Sequence, residues 1–68
     1  MKEDVFNMSL RKYLKKVGIT SQREIELAVR EAVESGKLKG HERLKAHVRL
    51  TVEPVGLTHD IDGDIELE

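Results

Sequence analysis

Lys16-Val17-Gly18-Ile19-Thr20-Ser21-Gln22-Arg23-Glu24 is the stretch on which the fold turns, because both a helix stop and a helix start are written into it. Glycine adopts the left-handed conformation that commonly ends a helix, and Ile19 falls where it touches Leu14 in a Schellman cap. Three residues later Ser21-Gln22-Arg23-Glu24 has the S-x-x-E spacing of a capping box, in which hydroxyl and carboxylate each satisfy an otherwise unpaired backbone donor. The spacing therefore predicts two helices, about 5–17 and about 22–35, packed as an αα-hairpin or at a helix-turn-helix angle.

Upstream, Phe6, Leu10, Tyr13, Leu14 and Val17 recur at helical spacing, with Arg11, Lys12, Lys15 and Lys16 on the other side or near the end. Downstream, Ile25, Ala28, Val29, Ala32 and Val33 form an apolar stripe, Glu26, Arg30 and Glu34 stand four apart opposite it, and Gly36 ends the run. From Leu44 the period changes to two. Leu44, Ala46, Val48, Leu50 and Val52 alternate with Lys45, His47, Arg49, Thr51 and Glu53, which reads as a half-buried strand. After Pro54-Val55-Gly56 a second alternating run sets Leu57, His59, Ile61, Gly63 and Ile65 against Thr58, Asp60, Asp62, Asp64 and Glu66. A four-residue loop, Glu53 to Gly56, pairs Val52 with Leu57, Leu50 with His59, Val48 with Ile61, Ala46 with Gly63 and Leu44 with Ile65. The same register places Arg49 opposite Asp60, His47 opposite Asp62, Lys45 opposite Asp64 and Arg43 opposite Glu66. A slip of one residue would turn charges inward, so this register is strongly chosen. The expected fold is α+β in the order ααββ: two amphipathic helices packed on an antiparallel β-hairpin, about 44–53 and 57–66.

Sixty-eight residues, 38% hydrophobic and 37% charged, make a single small domain, 1–68, with a thin core that dimerisation would supplement. The net charge of −1 conceals blocks. Lys2, Arg11, Lys12, Lys15 and Lys16 against Glu3 and Asp4 make residues 1–20 +3; residues 21–36 carry −2, residues 37–53 +3 and residues 54–68 −5. With no cysteine there is no disulfide framework, no thiolate nucleophile and no cysteine-type zinc finger, which fits the cytoplasm. No apolar run approaches the roughly 18 residues that span a bilayer, and no signal peptide follows Met1, so a soluble protein with no membrane partner is expected. Leu67-Glu68 has the wording of a cloning remnant.

The chemistry-bearing residues argue against an enzyme. Asp60-x-Asp62-Gly63-Asp64 lacks the glycine and the later glutamate of an EF-hand, so a paired acidic strand face is the better reading. His47 points out of the expected hairpin, His59 points in and His41 sits in a turn, so the three do not converge on a metal. His59, an imidazole on an apolar strand face, is of the residue type that changes charge near pH 6 to 7. Ser9, Thr20, Ser21 and Thr51 have no histidine and carboxylate at a spacing known for nucleophilic catalysis, and no phosphate-binding glycine motif is present. No catalytic residue, metal site or cofactor is expected.

The wording DVFNMSLRKYLKKVGITSQREIE, from Asp4 to Glu26, with Leu38-Lys39-Gly40 and the closing strands, resembles a family of short uncharacterised bacterial proteins. That resemblance covers nearly the whole chain and implies a bacterial cytoplasmic protein, with no activity, cofactor or catalytic residue to carry over. Two open sheet edges point to a homodimer joined through the first strand, with Lys45, His47, Arg49 and Thr51 as the candidate dimer edge. The alternative is a small nucleic-acid-binding protein of partial winged-helix type, using Arg11, Lys12, Lys15 and Lys16, although the glutamates of the second helix oppose a phosphate backbone. An unidentified protein partner would instead meet exposed Leu27, Leu38 or Val55.

Overall fold

The computed structural model describes all residues, Met1 to Glu68, and the chain divides into two units, Met1–Lys37 and Leu38–Glu68. The first unit is one helix, α1, Glu3–Glu34. The second is an antiparallel hairpin of β1, Arg43–Val52, and β2, Leu57–Glu66, joined by a 3-10 turn at Glu53–Val55. The class is α+β, but the order is αββ. The two helices expected at 5–17 and 22–35 are a single element of 32 residues, about 48 Å long.

The reason lies in the stretch that suggested a break. Gly18 has no positive φ, so its freedom to turn left-handed is not used. A glycine inside a helix costs about 0.5–1 kcal/mol relative to alanine, whereas a break leaves four carbonyls and four amides without helical partners. The capping box answers two of those donors. Inside the continuous helix the neighbouring polar side chains bond within the helix itself: Thr20 Oγ1 donates to the Lys16 carbonyl at 2.8 Å and Gln22 Nε2 donates to Glu26 Oε1 at 3.0 Å. The expected helix-turn-helix has no turn to rest on.

The ends of α1 follow ordinary chemistry. Glu3 and Asp4 stand in the first turn, where carboxylates favour the positive end of the helix dipole, and the Phe6 amide donates to the Lys2 carbonyl at 3.0 Å. At the other end Ser35 closes the helix and Gly36, at φ +83°, turns left-handed as expected, its amide donating to the Val33 carbonyl at 3.1 Å.

In the hairpin every expected cross-strand pair is formed, from Arg43 with Glu66 to Val52 with Leu57. Gly56, at φ +65°, returns the chain from the 3-10 turn into β2, and its amide donates to the Glu53 carbonyl at 2.9 Å. The ladder runs one bond past β1 and β2, because the Leu67 amide donates to the Glu42 carbonyl at 3.2 Å. No side chain in the chain is fully buried.

Candidate interaction surfaces

On α1 the apolar residues keep phase across the whole element, with Ser21 the one polar side chain in the series. Phe6, Leu10, Leu14, Val17, Ser21, Ile25, Ala28 and Ala32 follow one another at steps of four, four and three. At 3.6 residues per turn they stay within an arc of about 100°, flanked by Tyr13 and Val29. Phe6, Leu10, Tyr13, Leu14 and Ile25 are 40–53% exposed, while Val17, Ser21, Val29 and Ala32 are half-buried. The stripe is graded in size: Phe6, Leu10 and Leu14 lie before Gly18, Ile25 is the one large side chain of the stripe beyond it, and Ala28 and Ala32 form the far end.

Lys12, Lys15 and Lys16 occupy the side of α1 away from this stripe and Arg11 its flank, at the azimuth of Val29, all exposed and none in an ion pair. Glu24, Glu26, Glu31 and Glu34 are exposed on the C-terminal half. The helix is thus amphipathic across its width and polarised along its length.

The two faces of the hairpin differ as the alternation requires. Val48, Val52, Leu57 and Ile61 lie on the apolar face, 38–50% exposed, with half-buried Leu44, Leu50 and Ile65. On the other face Arg49 Nε donates to Asp60 Oδ1 at 2.8 Å, with a longer contact of 3.4 Å from its guanidinium to Oδ2. His47 Nδ1 meets Asp62 Oδ1 at 2.5 Å, and its Nε2 stands 3.4 Å from Asp60 Oδ1. Arg43 pairs with Glu66, while Lys45 and Asp64 stand opposite each other without closing an ion pair. Lys45, His47, Arg49 and Thr51 therefore share one charged face of β1, and two of them are engaged with β2. Such exposed pairs contribute roughly 0.2–1 kcal/mol each, enough to select register but little more. β1 has no strand on its other side. Ala46 and Gly63, small residues paired across the strands, lie in an open groove of about 540 Å³ bordered by Lys45, His47, Asp62 and Asp64.

His59 is exposed on β2 opposite Leu50. No three histidine or carboxylate groups come together in a way that can hold a metal ion. Of the residues proposed for an unidentified partner, Leu27 is 54% and Val55 74% exposed, and Leu38 is half-buried.

One organised polar feature was not anticipated. The Glu42 carboxylate accepts hydrogen bonds from the backbone amides of Lys39 at 2.8 Å, Gly40 at 2.9 Å and His41 at 3.2 Å. The amide of Lys39, with those of Gly40, Glu42 itself and His41, holds this carboxyl below the ordinary carboxylate range, against a smaller opposing effect of desolvation. Gly40, at φ +102°, lets the amides converge. The signal in the sequence is a glycine two residues before the one carboxylate of the segment from Gly36 to Glu42. Its role is to fix the entry into β1.

No helix is long and apolar enough to cross a membrane. The family profile described as a family of unknown function, DUF6494, matches residues 1–68, the full length given. No curated protein and no solved structure matches the chain.

Proposed function

The chain belongs to DUF6494, a family of unknown function, and on that premise we propose that it is a non-enzymatic interaction module that self-associates. The observation that supports this reading most is a 32-residue helix with a continuous apolar stripe and no fully buried side chain. A helix gains most of its stability from covering its apolar face, and a lone two-stranded hairpin is marginal in water. Neither unit by itself buries enough to offset the ordering of its backbone. The free edge of β1, with Lys45, His47, Arg49 and Thr51, offers one route to a second copy. Engagement of His47 and Arg49 by the carboxylates of β2 reduces the repulsion between two such edges brought together. The lack of cysteine supports a reducing compartment, the cytoplasm. Sedimentation equilibrium over a range of protein concentrations tests the reading: a species of twice the 7.8 kDa chain mass is expected. A monomer at every concentration removes it.

A second reading is favoured by one observation, the four exposed and unpaired cations Arg11, Lys12, Lys15 and Lys16. These would meet a nucleic-acid backbone along one side of α1, without the winged-helix geometry that a second helix would have supplied. The expected signature is binding to duplex DNA or RNA at about 50 mM salt that falls steeply as salt is raised. Unchanged backbone resonances of these four residues on adding nucleic acid would dismiss it.

A further inference from the structure

We infer that the occupant of the α1 stripe is the α1 stripe of a second copy, running antiparallel, with the two-fold axis at the level of Ile19; this rests on the self-association proposed above. Charge along the helix favours this arrangement. Residues 1–20 carry +3 and residues 21–36 carry −2, so parallel copies set like charge on like along their whole length. Antiparallel copies set the basic half of each on the acidic half of the other. Side-chain size along the stripe favours it as well. A two-fold axis at Ile19 places Phe6 opposite Ala32 of the second copy, Leu10 opposite Ala28 and Val17 opposite Ser21, with Leu14 and Ile25 within one residue of the same level. Large side chains thus meet small ones at both ends, which lets the axes approach there as closely as at the middle, where Leu14 and Ile25 flank the small Val17–Ser21 level, whereas a parallel pair stacks Phe6 on Phe6 and Ala32 on Ala32. Phase agrees: the repeat of eleven residues, Phe6 to Val17 to Ala28, drifts by only about 20° per repeat, so one face stays in contact along the pair with a slight right-handed supercoil.

The chain has no cysteine, so introduced thiols report orientation directly. Leu10→Cys and Ala28→Cys copies, each shown helical and dimeric when reduced, are oxidised singly and as a mixture. The expected result is a cross-linked dimer in the mixture and none from either alone, because two Leu10 positions lie about 27 Å apart along an antiparallel pair. Self-cross-linking of Leu10→Cys means parallel helices and overturns the inference. A dimer that cross-links in neither case associates through another surface, such as the β1 edge; the inference fails and self-association stands. A monomeric wild-type chain fails both. Where Leu10→Cys loses helix, Leu14→Cys mixed with Ile25→Cys reports the same orientation, since two Leu14 positions are still about 15 Å apart along an antiparallel pair. Salt supplies an independent check: antiparallel pairing weakens as ionic strength rises, and strengthening would overturn it.

Discussion

A Cβ added at Gly18 would meet nothing within 4 Å, and φ there is not positive, so the position neither needs glycine nor gains from it. Gly18→Ala is expected to stabilise the helix by about 0.5–1 kcal/mol, seen as a higher melting temperature by circular dichroism. A left-handed break at Gly18 would give the opposite sign, since alanine is strained there. Glu42 acts through its charge. Its carboxyl is held below the ordinary range by backbone amides, so the folded loop favours the charged form. The contribution is therefore fully present above the unfolded pKa of about 4.3 and is lost as pH falls through the lower, folded value. Amide resonances of Lys39 and Gly40 should shift together in that acid window in the wild type, and Glu42→Gln should abolish the transition while leaving the pairs of β1 with β2 in place.

The hairpin and the helix differ in how openly the chain announces them. Hairpin register was legible because its determinants are local and redundant: apolar alternation, opposed charges and a left-handed Gly56 all select one pairing. Asp60 meets both Arg49 and His47, so Asp60→Lys replaces the ion pair with Arg49 by a repulsion and removes the contact with His47 Nε2. A loss of about 1 kcal/mol or less is expected for this exposed site, measured as a lower denaturant midpoint with the same cross-strand contacts. The helix misled because stop and start signals are conditional. Ser21 and Glu24 cap only if the backbone has already left the helix, and Thr20 satisfies its hydroxyl just as well within it. The signal that outranks them is phase: Val17, Ser21 and Ile25 keep the face of Phe6, Leu10 and Leu14, which two independent helices have no reason to do. The Glu42 loop was missed for another reason: its donors are backbone amides, and its one signal, a glycine two residues before a carboxylate, is too short to stand out from an ordinary turn.

For the molecule as a whole, stability and assembly are expected to be one transition. If α1 is covered by another copy, helicity at 222 nm must fall on dilution over the range in which the dimer dissociates. Leu14→Asp, a charge on the stripe, is expected to raise the dissociation constant at least about tenfold, or 1.4 kcal/mol, by sedimentation. Helicity should fall with it at equal concentration. The turn at Glu53–Gly56 has its own consequence at this scale. Strands β1 and β2 of different copies are as complementary as those of one, so exchange between chains is limited only by mass action. A tether of four residues holds the two strands at an effective concentration in the millimolar range or above, and micromolar strands from other chains compete at a disadvantage of about a thousandfold. Gly56 is thus the point at which crowding or a bulky substitution would convert a closed hairpin into strands traded between neighbours.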